Sequence, residues 1–317
     1  MNAAAVGSMC LQLGSFIQSI YSFSWPQDAL FDGAQKMGIL SIFCGFLSFI
    51  MAYTMQLESP ILYLAHGQEE KAIDILRRLQ RPFTVTRETY EQLSEHKQYL
   101  GESSDMTLLQ SAIIGLPALL KLSFYRAFSA ASTCFYSYFA FSYVVSIAFR
   151  YNDVWAYNVY SFLAWIGTLM VTFIIDSQGR RTPTIIGFFC CIFNDRLNIR
   201  NRETMAVVVF LLMAYQLFAC ISTASSSVYL SEAFPLAVKP YYVAITFIVE
   251  MCIHLLIIAI CSRPLRSNVY DLPEYFNTMG GLSIALLIMA IVALPETKKN
   301  TLRECLAKFR KFINYQF

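Results

Sequence analysis

Residues 204–230 read TMAVVVFLLMAYQLFACISTASSSVYL, a run of 27 positions without one Asp, Glu, Lys or Arg. As an α-helix that run is about 40 Å long, against a hydrocarbon core of ~30 Å. Six blocks of similar length and composition surround it: Ala3–Trp25, Met37–Leu57, Ala127–Phe149, Val154–Ile175, Tyr241–Cys261 and Phe276–Leu294. Backbone in lipid must satisfy its own hydrogen bonds, so such blocks are helices rather than open strands. An eighth block, Thr182–Phe193, has 12 residues, about 18 Å as a helix, too short to cross alone.

The rest of the composition agrees. Of 317 residues, 56% are hydrophobic and 14% charged, where a soluble domain has about 45–50% and ~25%. The expected fold class is an all-α polytopic membrane protein of about eight transmembrane helices. The figures exclude disorder. A net charge of +3 without a long basic run leaves no electrostatic footprint for nucleic acid. Eight of the nine cysteines fall inside apolar blocks and no C-x-x-C occurs, the pattern of small buried thiols. There is no P-loop, dinucleotide fingerprint or H-E-x-x-H, and His66, His96 and His254 stand apart. No enzymatic activity, catalytic residue, metal centre or cofactor is expected.

Loop charge sets an expected orientation. If every block spans, Glu58–Arg126, Arg180 and Arg181, Lys239 and the C-terminal tail share one side and carry 17 Lys and Arg, against seven opposite. The positive-inside rule makes that side, and the C-terminus, cytoplasmic. If Thr182–Phe193 does not span, the imbalance shrinks and the tail moves outside, so charge favours a crossing.

The segment 58–126 is the one sizeable stretch outside the blocks. Gln68–Leu79 places Ala72, Ile75, Leu76 and Leu79 on one helical face, with Asp74 and Arg78 paired at i,i+4 on the other. Ile113–Leu120 reads as an interfacial helix. Beyond Pro295, Leu302, Leu306, Phe309 and Ile313 recur at helical spacing beside Lys308, Arg310 and Lys311. Such a basic amphipathic helix lies under a leaflet or packs beneath the bundle.

Four polar strings stand at helix ends assigned to the cytoplasmic face: Leu57-Glu58-Ser59-Pro60, Asp176-Ser177-Gln178-Gly179-Arg180-Arg181, Ser231-Glu232-Ala233-Phe234-Pro235 and Leu294-Pro295-Glu296-Thr297-Lys298. Charges at such ends can pair across helices and lock one face, or stand solvated and contribute little. In order and spacing the strings resemble the signature set of the sugar porter family of the major facilitator superfamily: P-E-S-P-R, D-R-x-G-R-R, E-x-F-P and P-E-T-K-G. Tyr229–Pro240 and Pro295–Phe309 resemble insect sugar-transporter-like members in detail. The resemblance implies two six-helix halves around a central path, with this chain starting at the fifth helix and lacking the first four. Residues 1–57 are then the last two helices of the N-terminal half, 58–126 the inter-half loop, 127–294 the six-helix C-terminal half and 295–317 the tail. It also implies a cytoplasmic gate of Glu58, Asp176, Arg180, Arg181, Glu232 and Glu296.

The chain departs from the family where sugar is bound. The seventh-helix string Q-Q-L-S-G-x-N is replaced around Tyr138–Val144, and G-P-I-P-W of the tenth by Thr223-Ala224-Ser225-Ser226-Ser227. Glu250 stands near the middle of its block with His254 one turn on. A carboxylate at mid-bilayer costs about 2.5–3.5 kcal/mol, so it should face the interior, as a substrate contact, a proton-linked group or a structural pair with His254. Tyr136, Tyr138 and Gln12 are further candidate substrate contacts, with aromatic faces and hydroxyl or amide groups suited to a sugar; packing is the other reading of the tyrosines. The resemblance implies alternating-access transport of a small polar solute, a sugar first, through the plasma membrane, by facilitated diffusion or with a proton. An organic-ion carrier and a non-transporting sensor or degenerate paralogue are the alternatives.

Overall fold

The computed structural model describes residues 3–24, 33–55, 59–80, 83–104, 106–149, 154–192, 202–261, 272–298 and 300–311. Among these residues there are helices and connecting turns, and no strand. In chain order the helices are α1 (Ala3–Ser24), α2 (Gly33–Met55), α3 (Pro60–Ala65), α4 (Glu69–Leu79), α5 (Arg87–Ser104), α6 (Leu108–Ser132) and α7 (Phe135–Ala148). They continue with α8 (Val154–Gln178), α9 (Arg181–Ile192), α10 (Arg202–Glu232), α11 (Lys239–Cys261), α12 (Leu272–Ala293) and α13 (Leu302–Arg310). They form two compact units, one of residues 25–113 and one of 1–24 with 114–317. The grouping cuts across the sequence boundaries. Helix α6 runs unbroken through residue 126, and α1 packs with α8 and α10 of the C-terminal part.

In the unit of residues 25–113, α3, α4 and α5 close around Ala72, Leu76 and Leu93. The amphipathic reading of α4 holds for Ala72, Ile75 and Leu76, whereas Leu79, at the last position, is exposed. Asp74 receives both Arg77 at 2.5 Å and Arg78 at 2.9 Å.

In the larger unit apolar helices pack on one another, most of them longer than the ~30 Å hydrocarbon core, and α10 is the central one. It contacts α1, α7, α8 and α9. Phe141, Val144, Tyr157, Tyr160, Val208 and Val209 fill the space between α7, α8 and α10. Small residues set how near the backbones come. A Cβ added at Gly167 of α8 would meet the Leu217 carbonyl oxygen at 2.5 Å, and one at Gly187 of α9 the Phe218 carbonyl oxygen at 2.9 Å. Outward faces are apolar: Ile248, Leu255, Leu256 and Ile258 on α11, and Ile284, Ile288 and Ile291 on α12, are exposed. Faces of that extent suit hydrocarbon rather than water. Residues Leu108–Ala148, Val154–Ile175, Met205–Glu232 and Lys239–Ala259 are long and apolar enough to cross a membrane, and Gly38–Leu47 and Gly280–Ala293 are shorter apolar stretches. This is an integral membrane protein.

The block Ala127–Phe149, expected as one helix, is split. Helix α6 ends at Ser132 and α7 starts at Phe135. Hydroxyls take up carbonyls at the break: Ser132 donates to Phe128 at 2.9 Å, Thr133 to Ser129 at 2.8 Å and Ser137 to Ser132 at 3.1 Å. Side-chain donors of this kind allow a broken helix at membrane depth. Helix α9 is the 12-residue helix of the short block, packed against α10 and α12.

The tail helix α13 starts with a capping box between Thr301 and Glu304. Of the two placements open to it, Cys305 and Phe309 take the packed one, at 1% and 0% exposure. The Phe309 ring meets Tyr229 edge-on at 5.8 Å. Lys121 of α6 donates to the Lys311 carbonyl at 2.6 Å, holding the C-terminal end of α13.

Candidate functional site

Two polar constellations stand out in the larger unit. One is at the end of the bundle where α8 turns into α9, α10 ends and the tail begins. Gly179 has φ +98, and the turn it makes points the N–H groups of Arg180 and Arg181 at Glu296. The carboxylate accepts from both at 3.1 Å and from the Lys298 N–H at 2.8 Å. It thus caps the positive N-terminal end of α9, a favourable place for an anion. The Arg180 guanidinium meets Glu232 at the end of α10 at 2.7 Å, with both side chains largely buried. Arg181 donates to the Ile291 carbonyl of α12, and Lys298 Nζ to the Ser177 carbonyl of α8. Asn300 Nδ2 and Lys308 Nζ both reach the Glu296 carbonyl oxygen. The result ties the ends of α8, α9, α10 and α12 to the tail.

Of the expected gate residues, the structure brings together Arg180, Arg181, Glu232 and Glu296. Asp176 lies on α8 two residues before its end, and Glu58 lies outside the described residues.

The second constellation is a cavity of about 600 Å³ walled by α1, α6, α8, α10 and α11, of a size that holds a small solute. Its wall is mainly apolar, with hydroxyl and amide groups from Ser8, Gln12, Thr168, Thr223 and Ser227. Glu250, in the middle of α11, faces it, as expected for a mid-span carboxylate. Its partner is Arg126 of α6 rather than His254: Nη2 and Oε2 are 2.6 Å apart, with the two side chains 6% and 13% exposed. The distance is that of a close ion pair. Arg126 Nη1 donates to Ser226 at 3.1 Å and to Ser227 at 3.4 Å. Its guanidinium lies 4.8 Å from the Phe247 ring centroid, a cation–π contact.

Gln12 lines the cavity; His254 and Tyr138 do not. The Tyr138 ring sits 6.0 Å from Tyr157 and 6.2 Å from Tyr160, and the Tyr160 hydroxyl donates to Gln216 at 2.8 Å. Tyr136 falls in the first turn of α7. Arg126 is the residue that sequence reasoning missed, being counted among the loop cations at the edge of an apolar block. The signal available was the unpaired mid-span Glu250, which requires a buried cation or a proton. Among the described residues no group of three or more His, Cys, Asp or Glu could hold a metal ion.

The family profile described as "Sugar (and other) transporter" matches residues 5–309. Among solved structures the chain is similar to the major facilitator superfamily proton:xylose symporter XylE bound to 6-bromo-6-deoxy-D-glucose, with a TM-score of 0.74 and 16% identity. It is also similar to a doubly tryptophan-substituted XylE, with a TM-score of 0.78 and 17% identity. Each alignment covers 96% of this chain and 66% of the solved one, so the chain spans just under two thirds of their length. No curated protein matches the sequence.

Proposed function

The chain belongs to the sugar (and other) transporter family, and on that premise we propose that it carries a small polar solute, a sugar first, across the membrane by alternating access. The observation that supports this most is the cavity of about 600 Å³ into which Ser8, Gln12, Thr168, Thr223 and Ser227 bring polar groups from α1, α8 and α10. Such a wall holds a polyhydroxylated solute by scattered hydrogen bonds while apolar side chains exclude water. Movement is by facilitated diffusion or with a proton on Glu250. Gln12 and Glu250, which line the cavity, are the proposed substrate contacts, with His254, Tyr136 and Tyr138 as further candidates.

The charged cluster at the α8–α9 turn is the gate in this reading, with Arg180, Arg181, Glu232 and Glu296 as its working set and Asp176 and Glu58 as further members. The segment 58–126 links the halves. The face bearing the cluster and the tail is cytoplasmic, and the membrane is the plasma membrane. An epitope tag after Phe317 that is stained only in permeabilised cells supports that side; staining of intact cells overturns it.

The carrier reading is tested by uptake of labelled D-glucose and, separately, labelled D-glucuronate into vesicles containing the purified chain. Saturable uptake of at least one of them above protein-free vesicles, competed by the same solute unlabelled and not by organic cations, is expected. Uptake of neither above the protein-free level overturns the reading.

A further inference from the structure

We propose that the cavity is selective for a hydroxylated solute bearing one carboxylate, a sugar acid, rather than for a neutral sugar; this deepens the carrier reading and rests on it.

The charged side chains lining the cavity are Arg126, Lys239 and Glu250. Two cations face one carboxylate, so the lining itself holds one positive charge in excess. Glu232, the carboxylate close to Lys239 in sequence, is engaged by Arg180 at 2.7 Å and does not line the cavity. Among the described residues Lys239 donates to a neutral acceptor, the Ser231 carbonyl, at 2.7 Å, and Glu232 acts on it through space rather than by a hydrogen bond. An excess cation on a mainly apolar wall favours an anionic solute over a neutral one of the same shape.

Arg126 is equipped to receive that anion. Its side chain is more than nine-tenths buried, yet Nε has no acceptor among the described residues. Its pair with Glu250 is made through Nη2. A guanidinium binds a carboxylate edge-on, in its own plane, through two N–H groups, and the unspent Nε–H belongs to such an edge. Ser226 and Ser227 hold the other edge of the guanidinium in place. Ser8 and Gln12 of α1 line the same cavity, and their groups suit sugar hydroxyls. The excess of one charge selects a monoanion. A sugar phosphate brings about −1.5 to −2 charges at neutral pH and leaves the cavity negative.

The experiment is calorimetric titration of the purified full chain in detergent with D-glucuronate, D-glucuronamide, D-glucose and D-glucose 6-phosphate. Glucuronamide has the shape of glucuronate without its charge. Glucuronate is expected to bind at least tenfold more tightly than any of the other three. Arg126→Gln and Lys239→Gln should each remove that preference. Glu250→Gln should tighten glucuronate binding by releasing the guanidinium, a gain that misfolding does not produce. Equal affinity for glucuronate and glucuronamide, tighter binding of the phosphate, or weaker glucuronate binding by Glu250→Gln overturns the inference. Hexose uptake into vesicles without preference for glucuronate overturns it while leaving the carrier reading intact. Tight glucuronate binding with no uptake of either solute overturns the carrier reading and leaves the site.

Discussion

Gly179 and Glu296 occupy each other's space: a Cβ built at residue 179 would lie 2.5 Å from Oε2 of Glu296. The glycine is required twice, by its φ of +98 and by the carboxylate that fills the position of a side chain. Two strings far apart in sequence are therefore one structural unit. Gly179→Ala combines backbone strain of about 1–3 kcal/mol with displacement of the carboxylate from the Arg180 and Arg181 N–H groups. We expect a melting temperature in detergent lower by several degrees. Wild-type melting would show that the carboxylate can leave without cost.

Glu296→Ala and Arg180→Ala should abolish vesicle uptake while leaving membrane insertion intact. The first uncaps α9 and frees the segment that follows α12. The second leaves Glu232 without its 2.7 Å partner. Glu296→Gln keeps an acceptor oxygen for one of the two N–H groups and should retain part of the uptake. Carbonate extraction reports insertion, and normal uptake by either alanine variant would refute the gate.

The parts of this architecture that were legible in the sequence are those encoded locally. The runs at 154–175 and 204–230 are helices because their composition leaves no other solution in lipid. The α4 face follows from spacing, and the strings around Arg180 and Glu296 announce themselves by order. Contacts between distant helices were not legible. Nothing in the neighbourhood of Arg126 separates a loop-edge cation from one buried beneath α11. The break after Ser132 has no proline or glycine at it, only Thr133 and Cys134, residues that serve equally well inside a helix. The tail's apolar stripe fits a leaflet or a bundle, and Tyr229, the residue that receives Phe309, lies 80 positions away.

Docking of α13 also controls its cysteine. Burial, with a smaller contribution from Glu232, pushes the Cys305 thiol from its ordinary 9.0 up to about 12. The folded state therefore holds this proton where the unfolded chain releases it. The contribution to tail docking is full below pH 9 and is lost progressively as pH rises towards about 12. At pH 7.5 maleimide should label Cys305 in the denatured chain and leave it unlabelled in the folded one. Phe309→Ala, which removes a ring with 0% exposure, should expose the thiol. Rapid labelling of the folded wild-type chain at that position would mean that α13 is undocked.

The Arg126–Glu250 pair is best separated into its parts by a double-mutant cycle. Removing one partner strands a charge in a mainly apolar wall, which costs about 3–5 kcal/mol, whereas replacing both with apolar residues of similar volume is often neutral or stabilising. Arg126→Met and Glu250→Met alone should each lower the melting temperature, and the double variant should recover most of the loss. Recovery of stability without recovery of glucuronate preference is the expected outcome, because the pair's fold contribution is replaceable and its charge is not. Two single losses that simply add in the double variant would show that the 2.6 Å contact carries no coupling. The guanidinium would then be held by Ser226, Ser227 and Phe247 alone.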